Sequence, residues 1–354
     1  MAAQKDIRKL DLAALETALQ NLGEKPFRAK QIYEWLWTKN AHSFDEMTSL
    51  SLPLREKLKE HFVILPVQLA EFQQSTDGTI KNAVRLHDGN VVESVLIPTE
   101  TRTTACVSSQ VGCSLDCRFC ATATLTRMRN LTAAEIVDQV ALIDHQSRRD
   151  FQRPLSNIVF MGMGEPMLNY NSVVEAIEII TTPFPKGLGM SPRRITVSTS
   201  GIPKMIEKLA DANLGVGLAV SLHAAIEETR NRIMPFTVKF PLSDLLKSMQ
   251  YWYEITRSRI TIEYVVWKEV NDDQQHINAL VRFCKKVPTK VNLIQYNSIG
   301  DKNFQQASDD AINAYIYALE KQNIVVNVRR SRGEDIDAAC GQLANKNQVS
   351  NPES

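Results

Sequence analysis

The sequence predicts an α/β protein built on a partial (β/α)6 barrel, with a small helical domain before it and a short β connector between them. Two patterns predict this class. From residue 103 onward, β-rich runs alternate with helical runs, which is typical of right-handed βαβ crossovers in a parallel sheet. Six such units suit an incomplete barrel better than a closed eightfold one. Cysteines and polar residues also follow the ends of five runs, where parallel barrels build their active sites.

Composition narrows the class of protein further. The 354 residues are 44% hydrophobic and 23% charged, which excludes a wholly disordered or fibrous chain. The formal net charge is only +1, so any nucleic-acid partner must be bound by local basic clusters. The N-terminal stretch carries acidic residues where a signal peptide needs an apolar region, and no run approaches 18 apolar residues. We therefore expect a cytoplasmic protein with no membrane partner.

The chain divides into four predicted parts. Residues 1–65 form a helical accessory domain, because apolar residues recur there at helical spacing. Residues 66–100 form a β connector, with a hairpin turn at Asp88 and Gly89. Residues 101–342 form the (β/α)6 core. Residues 343–354 form a short polar tail.

The helical domain contains three basic and three aromatic residues on one stretch: Lys25, Arg28, Lys30, Tyr33, Trp35 and Trp37. Basic and aromatic side chains together can bind single-stranded nucleic acid. The alternative is an amphipathic helix with inward aromatic rings and solvated charges, which this stretch alone favours. RNA binding by this domain is therefore a hypothesis that needs support from the rest of the chain.

The core elements follow one another in a regular order. Strands are predicted at TTACVSS, NIVFMG, RITVSTS, VGLAVSL, ITIEYVVW and KVNLIQY, with a final strand at NIVVNVR. Helices are predicted at residues 132–146, 172–180, 203–212, 242–255, 274–286 and 309–321. CSLDCRFC follows the first strand, MGEP the second, SG the third, His223 the fourth and Asn297 the sixth. These residues are expected to meet at one face of the barrel.

Three of the six cysteines, Cys113, Cys117 and Cys120, lie within eight residues. A structural zinc site needs four ligands, usually in two close pairs, and the sequence has no second pair. A cubane iron–sulfur cluster takes one thiolate per iron, so three cysteines leave one iron open for another ligand. The spacing favours such a cluster over zinc completed by His223.

The run from Met161 to Pro166 contains two glycines but lacks the third glycine of a dinucleotide-binding fingerprint, because Met167 stands there. Gly162 and Gly164 instead allow the backbone to approach a ligand, and Glu165 can accept hydrogen bonds from an ammonium group or from ribose hydroxyls. An ordinary strand-to-helix turn is the alternative. The serines and His223 at the other strand ends are weak signals when taken singly.

The remaining cysteines differ in their surroundings. Cys284 lies in an apolar helical run and is expected to be a small buried residue. Cys340 precedes Gly341 and follows an arginine-rich stretch, which would favour its thiolate. Cys106 lies seven residues before Cys113, the first cysteine of the cluster loop, which carries Cys113, Cys117 and Cys120. From the residues alone, a reactive Cys340 and an inert one are equally supported.

Together these motifs resemble a known family. The C-x-x-x-C-x-x-C loop after the first strand of a six-unit barrel is similar to that of the radical S-adenosylmethionine superfamily. CVSSQVGCSLDCRFCATA, MGMGEPMLNYNSV, RITVSTSGIPK, AVSLHA, TIEYV and RGEDIDAACGQL together resemble the bacterial dual-specificity RNA methyltransferases that modify carbon 2 of adenine. The resemblance covers nearly the whole chain, including the helical domain.

The resemblance implies a set of site residues. Cys113, Cys117 and Cys120 would bind a 4Fe-4S cluster whose open iron takes the amino and carboxylate groups of S-adenosylmethionine. The matching S-adenosylmethionine contacts are Gly164, Glu165, Ser198, Ser221, Leu222, His223 and Asn297. Cys340 matches the methyl-carrying cysteine, Cys106 its thiol partner and Glu93 the proton acceptor.

The resemblance also implies a reaction. Two S-adenosylmethionine molecules are used per turnover, one to methylate Cys340 and one to give a 5′-deoxyadenosyl radical that activates the methyl group. Attack by Cys106 on the Cys340 sulfur then releases the product and leaves a disulfide. The implied substrates are an adenosine in the peptidyl-transferase region of 23S rRNA and adenosine 37 of tRNA. We expect a flavodoxin or ferredoxin as electron donor, and a monomer.

Two other functions remain open. A related enzyme group, of the antibiotic-resistance type, methylates carbon 8 of the same ribosomal adenine with the same cluster, barrel and cysteine pair. The RRSRGEDIDAACGQL stretch and the helical domain favour carbon 2. A non-catalytic metal-containing RNA-binding protein would use the same basic and aromatic residues, but it would not cleave S-adenosylmethionine.

Overall fold

The computed structural model describes residues 4–345. Most of the predicted polar tail, residues 346–354, lies outside the described residues. Within residues 4–345 no helix is both long enough and apolar enough to span a lipid bilayer.

The secondary structure of residues 4–345 follows the predicted order. The strands are β1 (Lys5–Asp6), β2 (Phe62–Val63), β3 (Gln68–Gln74), β4 (Ile80–Arg85), β5 (Val91–Pro98), β6 (Thr103–Cys106), β7 (Gln110–Val111), β8 (Arg129–Asn130), β9 (Asn157–Phe160), β10 (Ile195–Thr199), β11 (Gly217–Ser221), β12 (Ile260–Val265), β13 (Thr289–Ile294) and β14 (Val325–Arg329). The α-helices are α1 (Leu12–Asn21), α2 (Arg28–Trp37), α3 (Leu52–His61), α4 (Ala133–Phe151), α5 (Tyr170–Thr181), α6 (Pro203–Ala212), α7 (Glu227–Ile233), α8 (Leu242–Thr256), α9 (Gln274–Cys284) and α10 (Asp309–Glu320).

A ten-stranded sheet forms the centre of the molecule, in the order β14-β13-β12-β11-β10-β9-β6-β5-β4-β3. Neighbours from β6 to β14 pair in parallel, through crossovers that contain helices. β6 pairs with β5 on its other side, and not with β14, so the sheet does not close. The predicted partial (β/α)6 barrel is therefore confirmed, with β14 as a seventh parallel strand.

The β connector belongs to the same sheet. β3, β4 and β5 pair in antiparallel fashion, and β5 continues the sheet by pairing with β6. The predicted hairpin joins β4 to β5, and Gly89 in its turn has a φ of +83°, a conformation that glycine adopts without strain. The sequence showed the hairpin but not that these strands extend the barrel.

All six predicted core helices are present, and α7 is an additional short helix. The start of α4 shows why the helices begin where they do. Thr132 accepts a hydrogen bond from the Glu135 backbone N–H, while the Glu135 carboxylate accepts one from the Thr132 backbone N–H. This capping box satisfies two backbone donors at the helix terminus. The same Glu135 carboxylate accepts two hydrogen bonds from Arg129 on β8. These bonds hold the end of the cluster loop close to α4.

The helical domain packs against the barrel through a buried ion pair. The Arg8 guanidinium donates to both carboxylate oxygens of Asp138, at 3.0 and 2.8 Å, and also bonds Asp6. Asp138 lies on α4 and accepts a further bond from the Val67 backbone N–H. β1 and β2 pair in parallel and close the domain. The domain and the barrel therefore share one core.

Candidate active site

The three closely spaced cysteines lie on the loop between β7 and β8, at the carboxyl end of the parallel strands. Cys117 is buried, and Cys113 and Cys120 are partly buried. The loop is tied to its surroundings by backbone bonds, since the Arg118 N–H donates to Ile233 and the Ala121 N–H to Gly341. The cysteines are thus held on a defined loop that packs against α7 and the C-terminal segment.

The donor set fits a 4Fe-4S cluster better than a single ion. Among residues 4–345, no three His, Cys, Asp or Glu side chains converge closely enough to hold one metal ion. A cubane binds each thiolate through a different iron, so its thiolates do not have to meet at one point. Burial raises the pKa of Cys113 to about 11 and that of Cys117 well above its usual range, and the neighbouring thiols and Glu165 reinforce this for Cys117. Coordination to iron would place positive charge beside these sulfur atoms and so stabilise their thiolate forms.

Residues that were predicted to follow the strand ends line one cavity beside the cluster loop. Nine of the predicted site residues line it, and eight of these belong to the cluster loop or follow strands: Cys117, Cys120, Gly164, Glu165, Ser198, Ser221, His223 and Asn297. They come from the ends of β9, β10, β11 and β13 and from the cluster loop. Cys340 lines the same cavity, although it is far away in the sequence. The active-site face of the barrel is therefore assembled from residues that only the fold brings together.

Gly164 and Glu165 are fixed by close packing. Gly164 has a φ of +93°, and a Cβ there would lie 2.5 Å from the Gln110 Cβ, so no larger residue fits. Glu165 is buried, and its two carboxylate oxygens accept bonds from the Met167 and Ser200 backbone N–H groups, at 3.1 and 2.8 Å. Burial raises its pKa, although these bonds oppose the rise. The carboxylate connects two neighbouring strand ends at the cavity wall.

His223 faces the cavity as a neutral imidazole. Its φ of +56° is unusual for a side chain of this size and turns the chain at the end of β11. The Val265 backbone N–H donates to its Nδ1 at 3.2 Å, and its ring packs edge-on against Phe119 of the cluster loop. Burial, and then the charge of Arg230, lowers its pKa to about 3. Because Nδ1 accepts this bond, the proton of the neutral ring lies on Nε2, which can donate one hydrogen bond in the cavity.

The two isolated cysteines meet in a second cavity next to the first. Cys106 and Cys340 both line it, and Cys120 and Arg329 line both cavities. Cys340 is exposed and Cys106 is buried. Burial, and then the charge of Cys340, raises the pKa of Cys106 to about 12, while Arg329 acts in the opposite direction. All six cysteines are free thiols, so the predicted disulfide is not present in this structure; the implied reaction forms it only at product release.

Three predicted site residues line neither cavity: Cys113, which lies on the cluster loop, Leu222 and Glu93. The Leu222 side chain is buried in the core, and its carbonyl accepts a bond from Arg230. Glu93 is buried on β5, where Lys81 lies 3.6 Å from one carboxylate oxygen. The other oxygen accepts bonds from the Ala344 and Asn345 backbone N–H groups. In this conformation Glu93 contacts the C-terminal segment.

The structure adds residues that the sequence did not single out. Glu263 is a buried carboxylate on β12 that lines the first cavity and forms an ion pair with Arg329 at 3.4 Å. In the sequence, Glu263 is the single charged residue of the apolar run ITIEYVV, and this was the signal that could have identified it. Arg230 is fully buried near Cys117, and desolvation lowers its pKa to about 10. It lies on α7, which the sequence did not predict.

Comparisons with known proteins identify the family of the chain. Residues 5–64 match the family described as ribosomal RNA large subunit methyltransferase N-terminal domain, and residues 107–281 match the radical SAM superfamily. The chain is 63% identical over 343 residues, 97% of this chain and 98% of the other, to the probable dual-specificity RNA methyltransferase RlmN of Flavobacterium psychrophilum. It is 45% identical to the dual-specificity RNA methyltransferase RlmN of Geotalea uraniireducens, over 96% of both chains.

A solved structure supports the same assignment. A radical SAM methyltransferase from Sphaerobacter thermophilus superposes with a TM-score of 0.90 at 39% identity, over 96% of this chain and 99% of the other. Its extent includes both the helical domain and the barrel of this protein. The chain therefore belongs to the RlmN family of dual-specificity RNA methyltransferases, within the radical SAM superfamily.

Proposed function

We propose that this protein methylates carbon 2 of adenine in RNA, with 23S rRNA and tRNA as substrates. The observation that carries the proposal is the position of Cys340, an exposed thiol that faces the cluster loop through one cavity and Cys106 through the next. A methyl carrier that must meet both a methyl donor and a resolving thiol requires such a position. The family names describe relatives that act on RNA with dual specificity, which supports the two substrate classes.

Carbon 2 of adenine is electron-poor and cannot attack the electrophilic methyl group of S-adenosylmethionine. A protein-bound methyl group that is activated as a radical avoids this limit. Cys113, Cys117 and Cys120 would hold a 4Fe-4S cluster, which would supply the electron for reductive cleavage of S-adenosylmethionine to a 5′-deoxyadenosyl radical. Two S-adenosylmethionine molecules are consumed, because the methyl donor and the radical source are separate molecules.

Cys340 acts first, as a nucleophile. Its thiolate takes the methyl group, so an S–C bond forms on Cys340 as the sulfonium S–C bond breaks and S-adenosylhomocysteine leaves. Arg329 lines the same two cavities, and its interaction with Cys340 raises the pKa of the Arg329 guanidinium, so a cation lies beside this sulfur. Gly164, Glu165, Ser198, Ser221, His223 and Asn297 line the space in which S-adenosylmethionine binds. Leu222 contributes through its backbone, since its side chain lies in the core.

Cys106 acts last, by attacking the Cys340 sulfur. A disulfide forms as the bond between that sulfur and the new carbon of the product breaks; the electron pair of that bond goes to the carbon, which takes up a proton to become the methyl group. Glu93 accepts the proton that the ring carbon releases, while the unpaired electron left on the ring by radical addition would return to the cluster. One Glu93 oxygen accepts from the Ala344 and Asn345 N–H groups, which leaves the other, 3.6 Å from Lys81, to take the proton. Buried and protonated, Cys106 does not react before it is deprotonated.

The partners follow from this chemistry. The reduced cluster requires a one-electron donor such as a flavodoxin or ferredoxin. A monomer is sufficient, because the site residues all come from one chain. Because its RNA substrates function in the cytoplasm, the protein acts there as well.

Methylation of carbon 8 is the second candidate, because it needs the same cysteines and cluster.

Two measurements test the proposal. Mass spectrometry of nucleosides from cells with and without the gene should show 2-methyladenosine that depends on the gene; 8-methyladenosine instead would establish the second candidate.

Cys106→Ala, expressed with its RNA substrates, should accumulate a nuclease-sensitive protein–RNA adduct on a denaturing gel. The Cys106→Ala/Cys340→Ala variant should show no adduct. A folded, cluster-loaded Cys106→Ala protein without an adduct would exclude Cys106 as the resolving thiol.

A further inference from the structure

The segment that carries Cys340 is held by three parts of the molecule. One of them is the loop after β13, where the Asn297 side chain donates to the Cys340 carbonyl and the Ser298 carbonyl accepts from Gln342, both at 3.2 Å. This C-terminal segment, residues 335–345, contains the 3-10 turn that ends at Ile336 and no further regular structure. Its own backbone pairing is limited to short turns. The position of Cys340 therefore depends on bonds from side chains and backbone groups outside the segment.

The cluster loop provides a second attachment. The Thr122 hydroxyl, two residues after Cys120, donates to the Leu343 carbonyl at 2.6 Å. The neighbouring Ala121 N–H donates to the Gly341 carbonyl at 2.7 Å. Thr122 is buried. These bonds lie on either side of Gln342, so the residues that follow Cys340 are fixed relative to the cluster cysteines.

The antiparallel strands provide the remaining attachments. Glu93 on β5 accepts bonds from the Ala344 and Asn345 N–H groups at 2.8 and 3.2 Å. At the opposite end of the segment, the Asp335 carboxylate accepts bonds from the Ser75 hydroxyl at 2.6 Å and from the Thr76 N–H at 3.1 Å. Both groups lie in the turn between β3 and β4. Cys340 lies between these two anchors.

Close packing supports the anchor at Asp335. Gly333 lies just before the segment with a φ of +66°, and a Cβ there would come within 2.8 Å of the Thr79 and Ala338 side chains. Its N–H donates to the Asp77 carboxylate at 3.0 Å. The chain can therefore approach the β3–β4 turn only with glycine at this position.

We propose that Thr122, Glu93 and Asp335 are positioning residues that clamp the C-terminal segment between the cluster loop and the β3–β5 strands, and so hold Cys340 at the junction of the two cavities. The role of Cys340 rests on the proposed function, whereas the clamp itself does not. The proposal gives the β connector a function in catalysis. It also gives Glu93 a second role, for which a neutral oxygen acceptor is sufficient.

Matched substitutions separate these roles. Thr122→Val removes the hydroxyl at nearly constant shape, and Thr122→Ser keeps it. Thr124→Val is the control, because the Thr124 hydroxyl bonds Ala121 in the same loop and not the segment. Glu93→Gln keeps an oxygen acceptor but cannot serve as a proton acceptor, and Glu93→Ala lacks both properties. Asp335→Ala removes an exposed carboxylate, so its effect does not depend on a disturbed core.

The first measurement is hydrogen exchange of the full-length protein without RNA. In Thr122→Val, Glu93→Ala and Asp335→Ala, amides of residues 338–345 should exchange about tenfold faster, the effect of removing one hydrogen bond. Thr122→Ser and Glu93→Gln should restore slow exchange, and Thr124→Val should match the unsubstituted protein. Exchange at the unsubstituted rate in both Thr122→Val and Asp335→Ala would overturn the clamp.

The second measurement is methyl loading of Cys340, followed by the mass of the peptide that contains it. Thr122→Val and Asp335→Ala should lower kcat for loading several-fold and leave KM for S-adenosylmethionine unchanged, because neither residue lines the cavity beside the cluster loop. Faster exchange with normal loading would show a merely structural role and refute positioning. If the unsubstituted protein never carries a methyl group on Cys340, the proposed function fails while the exchange measurement still decides on the clamp.

Discussion

Cys106 and Cys340 differ in the one property that their proposed roles require. Cys340 is exposed and can meet a methyl donor, whereas Cys106 is buried and protonated at neutral pH. A thiol must give up its proton before it attacks another sulfur. The difference in burial therefore imposes an order on the two reactions.

This order predicts the pH dependence of product release. Because the pKa of Cys106 is raised to about 12, its thiolate fraction should rise about tenfold per pH unit between pH 7 and 9. The rate of protein–RNA adduct decay, measured on denaturing gels over this range, should rise in the same proportion. A decay rate that does not change with pH would mean that Cys106 does not react as a free thiolate.

The cluster cysteines should be distinguishable from an ordinary buried cysteine. Replacing Cys113, Cys117 or Cys120 with Ala should remove iron and sulfide from anaerobically purified protein and abolish S-adenosylmethionine cleavage. Cys284→Ala is the matched control, since Cys284 is a buried thiol on α9 away from both cavities. Iron and sulfide assays on the four variants show which cysteines the cluster requires. Stoichiometric zinc in place of iron in the unsubstituted protein would contradict this assignment.

At the residue scale, the sequence was informative where chemistry depends on residue type and spacing. The cysteine spacing and the polar residues at strand ends identified eight of the residues that line the cavity beside the cluster loop. The bonds of Glu93 to residues 344 and 345 could not be found in this way, because they join positions about 250 residues apart. Thr122 is similar: nothing in its local sequence separates it from Thr124.

At the scale of elements, local patterns predicted six of the seven core helices and the seven parallel strands, but not how the sheet continues beyond them. The hairpin β4–β5 was evident from its turn, whereas the pairing of β5 with β6 depends on interactions beyond the turn. α7 was missed because it has only seven residues, too few to show a helical repeat. Long-range pairing and short helices are set by tertiary packing.

Helix α2 combines the two alternatives that its sequence left open. Trp37 and Ile32 are buried in the core, as an amphipathic helix requires, while Lys25 and Lys30 are exposed. Phe27 is half exposed, with the Arg28 guanidinium 4.9 Å from its ring centre. A charged surface beside an exposed ring remains available for RNA.

This surface predicts the salt dependence of RNA binding. Neutralising Lys25, Arg28 and Lys30 together should weaken binding and reduce the slope of log affinity against log salt by about 0.7–0.9 for each phosphate that is no longer neutralised. A Lys285→Gln/Lys286→Gln variant is the control, because those exposed lysines follow α9, which leads to β13 next to the β14 edge of the sheet, whereas the helical domain packs on α4. Binding titrations at several salt concentrations test this. An unchanged slope in the triple variant would exclude α2 and the residues before it from the RNA interface.

At the scale of the whole molecule, the helical domain and the barrel act as one folded unit. The core is continuous between them, and the Arg8–Asp138 pair lies in the interface. The sequence predicted a separate accessory domain because its helical spacing ends near residue 62. It could not show the docking, since Arg8 and Asp138 are 130 residues apart and each resembles an ordinary surface charge in its own helix or turn.

Docking through a buried ion pair predicts how strongly the domain is attached. Arg8→Met removes the cation and leaves the buried Asp6 and Asp138 carboxylates without it, which should lower the free energy of unfolding by about 3–5 kcal/mol. Arg8→Met/Asp138→Asn should recover part of this stability, because it also removes a buried negative charge. Urea unfolding followed by tryptophan fluorescence measures both variants. A change below about 1 kcal/mol in Arg8→Met, the magnitude of a surface ion pair, would mean that apolar packing alone attaches the helical domain to the barrel.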